Sequence, residues 1–253
     1  MKVLITGASH GLGRALTEKL LAEGHDVFAV DRDTDALDAL AVKSRGACKP
    51  ILADMALGQS VERLMREIAG HTFDLVILNA GISATGKFEE IPAAAYQRLI
   101  AVNLTAPITI ASRLIGENML VAKSKLVFIS SLSHAVGYPG ASVYAATKDA
   151  LAVYARSIRK PLAKKRVGVL TVFPGPIRTQ HAERHAPAGA KASKRMSPDI
   201  LARHILKATR TRKKELYPGT QAAFTKLLAG IAPNFMTKMM RRVIFEKLDD
   251  NVY

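Results

Sequence analysis

The chain is poor in the features that mark several classes of protein. Its 253 residues contain one cysteine, Cys48, which excludes an internal disulfide framework and fits a reducing compartment. The seven histidines are scattered, none at metal-ligand spacing with acidic or thiol partners, so no metal is expected. No apolar run reaches the length needed to span a bilayer. The first strand reads from Lys2, directly after Met1, which leaves no room for a signal or transit peptide and predicts a cytoplasmic protein. There is no internal repeat, and the length suits one domain with one substantial core.

Acidic residues are scarce as well: 21 Asp and Glu stand against 37 Lys and Arg, a formal net charge of +16. Most of the acids lie before Ala80, whereas Lys and Arg crowd Arg156 to Arg166, Lys191 to Lys214 and Lys238 to Arg242. Such a surface suits anionic substrates, nucleic acid or acidic lipid, or is simply a solvated basic surface.

What is present is organised around Lys125 to Ala150. Leu126 to Ile129 reads as an apolar strand, and a helix carrying Tyr144 and Lys148 follows. Side chains at i and i+4 share a helical face, so the phenol and the ammonium can share a pocket. Ser131, where the strand runs out, can close on the same point. A free tyrosine titrates near ~10, and a cation about 4 Å away lowers that by roughly three units at an effective dielectric of ~20. Lys148 is therefore expected to bring Tyr144 into working range as an acid or base. Tyr and Lys at this spacing also occur by chance on many helices, so the rest of the chain decides.

Lys2 to Thr6 reads as a strand that stops at Gly7-Ala8-Ser9-His10-Gly11-Leu12-Gly13, with a helix over Arg14 to Glu23 and a second strand over Val27 to Val30. This βαβ unit around a glycine-rich turn is a usual setting for a nucleotide, whose pyrophosphate meets the helix N-terminus. Asp31, after the second strand, is placed to accept from an adenosine ribose 2′-hydroxyl, which favours NAD; Arg32 and His10 could instead meet the 2′-phosphate of NADP. Capping of the next helix, with Thr34 at the N-cap, is a second reading of Asp31 to Asp35.

Cys48 to Ala53 reads as a third strand ending at Asp54, and Val61 to Ala69 as a helix. Phe73 to Leu78 is an apolar strand of the kind covered on both faces, ending in Asn79-Ala80-Gly81. A helical stretch from about Pro92 to Asn118 holds Asn103 in apolar surroundings, which suggests a buried polar role. A strand at Val167 to Phe173 leads to the rigid turn Pro174-Gly175-Pro176-Ile177-Arg178-Thr179. Gln180 to Met196 lacks apolar periodicity and reads as a mobile loop over the site. Ser197-Pro198 starts another helix, and Glu215 to Tyr217 is a last strand.

With Thr6-Gly7-x-x-x-Gly11-x-Gly13, Asn79-Ala80-Gly81, Asn103, Ser131, Tyr144-x-x-x-Lys148 and Pro174-Gly175 in this order, residues 1 to about 217 resemble the short-chain dehydrogenase/reductase family in its compact branch. The resemblance implies a doubly wound (Rossmann) parallel α/β sheet and an NAD(P)-dependent oxidoreductase that moves a hydride between nicotinamide and a secondary alcohol or ketone. It implies Tyr144 as general acid or base, Lys148 lowering its pKa and holding the nicotinamide ribose, Ser131 polarising the substrate oxygen, and Asn103 holding a water in a proton relay. Cofactor contacts would come from Gly7, Ser9, His10, Gly11, Leu12 and Gly13 in the turn and Asp31 and Arg32 at the ribose. Asp54 and Met55 would serve the adenine, Asn79, Ala80 and Gly81 the cleft, and Pro174, Gly175, Ile177 and Thr179 the nicotinamide end. Leu132, His134, Val136 and Tyr138 would wall the substrate pocket. A homodimer or homotetramer is also implied.

Leu78 and Thr147 depart slightly from the family pattern, and Ser130 and Ser133 stand close to Ser131. A different reading is an NAD(P)-sensing regulator whose basic surface binds nucleic acid or a partner, although an intact proton-transfer set argues against it and against specific nucleic-acid binding. The chain is expected to divide into a catalytic part, 1–219, and a basic amphipathic part, 220–253. Ala222 to Ile231 and Asn234 to Leu248, either side of Pro233, either pack on the domain, form a dimer contact or lie on an anionic membrane.

Overall fold

The computed structural model describes residues 1–135, 139–185, 192–243 and Val252. Among these, the apolar runs form seven strands: β1 (Lys2–Thr6), β2 (Asp26–Asp31), β3 (Cys48–Leu52), β4 (Phe73–Leu78), β5 (Leu120–Ile129), β6 (Gly168–Val172) and β7 (Glu215–Leu216). They lie in one parallel sheet of order β3-β2-β1-β4-β5-β6-β7. The helices are α1 (Gly11–Ala22), α2 (Thr34–Lys43), α3 (Gly58–Glu67), α4 (Ala93–Ile100), α5 (Ala106–Gly116), α6 (Ser142–Lys164), α7 (Gln180–Arg184), α8 (Pro198–Thr209), α9 (Thr220–Ile231) and α10 (Pro233–Val243).

Successive strand residues point to opposite faces, so each strand feeds two apolar layers. Val3, Ile5, Val27, Ala29 and Ile77 pack under Leu16 and Leu20 of α1, Leu37 and Leu40 of α2, and Leu201 and Ile205 of α8. Leu4, Phe28, Val30, Val76 and Phe128 pack under Leu64 of α3, Ile110 and Leu114 of α5, and Leu151 and Ala155 of α6. This is a doubly wound α/β domain. The chain runs outward from β1 to β3 and then returns to lay β4 on the other side of β1, which opens a crevice at the carboxyl ends of β1 and β4. Thr6 pairs with Leu78, Leu78 with Phe128, and Ile129 with Val172, so four strands end level at that crevice.

Several expectations change. The N-cap of α2 is Asp33, whose extended backbone lets its carboxylate accept from the Ala36 N–H at 3.0 Å; Thr34 is already in the helix. The stretch expected as one helix over about 92–118 is α4, a π-turn at Ala101–Thr105 and α5. Contrary to the sequence expectation, Ala93–Gly116 is long and apolar enough to cross a membrane by length and composition. Here it carries Leu99, Val102, Asn103, Ile110 and Leu114 into the interior. The loop expected over 180–196 is partly ordered into α7 and a 3-10 turn at Ala192–Lys194, tied down where Arg178 N–H donates to the Met196 carbonyl at 2.9 Å. Residues 186–191 of that loop, the wall residues Val136 and Tyr138, and 244–248 of the C-terminal segment lie outside the described residues.

Candidate active site

The glycine-rich turn joins β1 to α1 and is shaped by contacts too close for side chains. Gly7 has φ +66°, and a Cβ there would stand 2.9 Å from Ala80 Cα. At Gly13 a Cβ would collide with the Gly7 carbonyl oxygen, so only glycine lets the first turn of α1 settle on the end of β1. The helix opens at His10 without a side-chain cap, leaving its first N–H groups for a ligand. The turn is also clamped from across the crevice: Asn79 Nδ2 donates to the Thr6 and Gly7 carbonyls at 3.1 and 3.0 Å, and Thr6 Oγ1 accepts from the Asn79 and Ala80 N–H groups. Asn79 is thus a structural clamp whose residue also faces the cleft.

Asp31, the last residue of β2, accepts from the Ser9 N–H at 3.0 Å, which ties the carboxylate to the turn. Ser9 Oγ is buried without a partner among the described residues. His10 is paired with Asp33 at 2.8 Å, so its imidazole is held by a carboxylate, while the Ala36 N–H and His10 keep Asp33 below the ordinary carboxylate range. Asp54 meets Arg98 at 2.9 Å; burial works against its charge, but the Ala56 N–H and Arg98 hold the carboxyl below its usual value.

At the other end, Lys148 lies 3% exposed with Nζ donating to the Ile129 carbonyl at 3.0 Å and 5.8 Å from the Tyr144 ring centre. Burial lowers the Lys148 ammonium to about 8. Tyr144 hydrogen-bonds Ser131, but burial dominates and pushes the phenol above its ordinary value, with Ser131 pulling against it. The expected lowering by Lys148 is not met: the ammonium is aimed at the strand end, and loss of water raises the phenol. The neighbouring serine has a different task. Ser130 Oγ donates to the Lys148 carbonyl at 2.8 Å and pins α6 to β5.

Asn103 is fully buried in the π-turn. Its Nδ2 donates to the Ile82 carbonyl at 2.9 Å and to Thr147 Oγ1 at 3.3 Å, and its Oδ1 accepts from the Ile82 N–H. The side-chain N–H groups are both given to protein acceptors and hold the wall. Gly81 faces both Lys148 Nζ and Asn103 Oδ1, which a Cβ there would meet at 3.1 and 3.4 Å. Thr179, expected at the nicotinamide end, turns its hydroxyl to cap α7 by accepting from the Ala182 N–H at 3.1 Å.

These residues enclose a cleft of about 650 Å³. Gly7, His10, Gly11, Leu12, Asp31, Arg32, Asp54, Met55, Asn79, Ala80, Gly81, Tyr144, Lys148, Pro174, Ile177 and Thr179 line it, whereas Ser9, Gly13, Asn103, Ser131 and Gly175 are not among the lining residues. The glycine cradle, the open helix end and the orphaned Ser9 hydroxyl fit a dinucleotide pyrophosphate. Sequence reasoning missed Arg98 and Arg184, which also line the cleft, as does His181. His181 is lowered to about 4 by burial, by His185 and by the nearby cations Arg184 and Lys148.

A model of the short chain dehydrogenase family matches residues 1–188. The chain belongs to the short-chain dehydrogenase family. It is an oxidoreductase acting on CH–OH or C=O groups with NAD(P). Among similar short-chain dehydrogenases, the dehydrogenase/reductase SDR family protein 7-like of Drosophila melanogaster is 26% identical, covering 95% of this chain and 79% of its own. The NADPH-dependent 1-acyldihydroxyacetone phosphate reductase of Saccharomyces cerevisiae is 26% identical over 92% of this chain and 87% of its own. The solved short-chain dehydrogenase from Sphingobium yanoikuyae in complex with NADPH superposes with TM-score 0.79 at 28% identity, covering 93% of this chain and 94% of that one.

Proposed function

We propose that this short-chain dehydrogenase interconverts a secondary alcohol and its ketone, with Tyr144 as the proton-transfer group. The observation that carries this reading is the Ser131–Tyr144 hydrogen bond set beside buried Lys148, with Tyr144 and Lys148 lining the cleft. The nicotinamide, when bound, supplies or accepts the hydride at carbon. In the reducing direction Tyr144 gives its phenolic proton to the carbonyl oxygen, and burial keeps that phenol protonated at neutral pH. Ser131 Oγ donates to the same oxygen as negative charge grows on it. Lys148 offsets the charge left on the phenolate, and Asn103, through Thr147 and Ile82, holds the wall behind it.

Gly7, Gly11 and the first turn of α1 would hold the pyrophosphate, Asp31 the adenosine ribose, Asp54 and Met55 the adenine side, and Ile177 and Thr179 the nicotinamide end. Asp31 supports NAD, because its carboxylate accepts hydroxyl donors and repels a phosphate. The NADPH in the names of the Saccharomyces cerevisiae reductase and the Sphingobium yanoikuyae complex, together with Arg32 beside Asp31, supports a second reading in which NADP binds. Titration with NADH and NADPH separately, read by nicotinamide fluorescence, decides between them. Tyr144→Phe tests the chemistry: turnover is expected to fall on the order of 10²–10⁴-fold with cofactor affinity kept, and a fully active variant refutes the assignment.

The reading also takes residues 1–219 as the catalytic unit, a homodimer or homotetramer as the working state and the cytoplasm as the compartment, supported by the single buried thiol of Cys48. Light scattering of the purified chain and of a form ending at Gly219 tests the first two.

A further inference from the structure

Residues 220–243 form a helical hairpin, α9 and α10, that the catalytic reading leaves unused. α9 packs on the 3-10 turn at Leu132–Ala135, which directly follows Ser131, and α10 packs on α9 and on the 3-10 turn at Pro139–Ala141. Ala222 is buried and seats the start of α9. The outward side is unlike the rest of the surface. Phe224 and Ile231, seven residues apart on one face of α9, are 60% and 74% exposed, and Phe235, just past the turn at Ala232, is 65% exposed. Large apolar side chains are normally scattered singly on a surface. Here three lie within twelve residues, Phe224 partway along α9 and Ile231 and Phe235 at the tip where α9 turns into α10.

Cations flank that tip. Phe235, Lys238 and Arg242 fall at i, i+3 and i+7 on α10 and are all exposed. Thr220 to Val243 contains four Lys or Arg residues and no acid. The tip thus joins exposed apolar side chains to exposed cations, with no acid between Thr220 and Val243.

From this we infer that the α9–α10 hairpin docks on an anionic lipid bilayer. Phe224, Ile231 and Phe235 enter the boundary between headgroups and acyl chains, while Lys238 and Arg242 meet the lipid phosphates and carboxylates. Burying an apolar tip and neutralising a cationic rim call for two different properties of one partner. An anionic membrane has both, and the net charge of +16 adds long-range attraction to it.

The test is cosedimentation of the full chain with vesicles, which needs no substrate and is independent of the catalytic reading. Vesicles of phosphatidylcholine with about one-quarter phosphatidylserine should pellet the protein, and pure phosphatidylcholine or high salt should weaken binding about tenfold or more. Phe224→Ser, Ile231→Ser and Phe235→Ser combined should lose about tenfold in vesicle affinity, with NAD(P)H binding and thermal melting unchanged. Lys238→Glu with Arg242→Glu should weaken binding to anionic vesicles only. The inference is overturned if anionic vesicles fail to pellet the native chain or if the triple variant pellets as well as the native one. It is equally overturned if the triple variant breaks an oligomer in solution while vesicle binding is absent throughout, which would assign the tip to a second copy of this chain.

Discussion

The two ends of the cleft are held by different kinds of contact. At the glycine-rich end the geometry is set by backbone: Gly7 and Gly13 touch main-chain atoms of their neighbours, and Asn79 and Thr6 bond carbonyls and N–H groups. At the proton-transfer end it is set by side chains whose ionisation is under the control of burial, namely Tyr144, Lys148 and Ser131. Backbone contacts tolerate almost no substitution and carry no charge to tune. Side-chain contacts tolerate exchange of shape but depend on pH and on exclusion of water. One end therefore suits a group that never changes, and the other suits chemistry that must be adjusted.

Substitutions should separate the ends in a definite order. After Tyr144→Phe, the largest effect is expected from Gly13→Ala, which forces a methyl into the Gly7 carbonyl and should cost about 3 kcal/mol or more, read as a large fall in melting temperature or loss of folded protein. Gly175→Ala, where a Cβ would meet only Leu132 Cδ2 at 4.0 Å, is the matched control and should melt like the native chain.

The proton-transfer end should show opposite responses to pH in activity and stability. Lys148 is lowered in the fold to about 8 from an ordinary 10.5, so between those values the folded chain holds fewer protons there than the unfolded one. Its contribution to stability should rise with pH across that window, while turnover that needs the ammonium should fall above about 8. Chemical denaturation and rate profiles over the same range check both signs, and in Lys148→Met the two trends at this residue should vanish together.

A smaller effect is expected at Asp31. Replacing it with Ser removes the repulsion of a 2′-phosphate while keeping a short polar side chain, and should shift the NADH to NADPH affinity ratio about tenfold toward NADPH. An unchanged ratio in paired titrations would take selection of the cofactor away from this carboxylate. The smallest effect belongs to Arg98→Ala: its half-exposed pair with Asp54 is worth about 0.5–1 kcal/mol, so melting should change little while the adenine side loosens slightly.

Much of this arrangement was legible beforehand, for physical reasons. Strands buried on both faces are continuous apolar runs, so β4 was read to the residue, and a turn that admits only glycine announces itself by glycine. The proton-transfer trio was legible because i,i+4 spacing on a helix is geometry. What stayed hidden depends on distant contact or on burial. Arg98 meets Asp54 across 44 positions, and no local pattern marks it. Arg184 stands in a stretch without periodicity, which is ordered where Thr179 caps α7 and Arg178 bonds Met196. The direction of the Tyr144 shift was misjudged because spacing gives the distance to a cation but not the water lost around the phenol. Asp33 and Thr34 are both residue types that cap helices, and only backbone angles distinguish them.

Lys148 is fastened to the end of β5 twice, by its amine to the Ile129 carbonyl and by its own carbonyl to Ser130 Oγ. Those two bonds close a ring through α6 and the strand that exists only when helix and sheet are docked. Assembly of the reacting groups and docking of α6 on the centre of the sheet are then one cooperative event. A partly folded chain that kept the glycine turn would still lack its proton donor's neighbour, and hydrogen exchange at the amides around Ser130 and Lys148 should follow global opening of the domain.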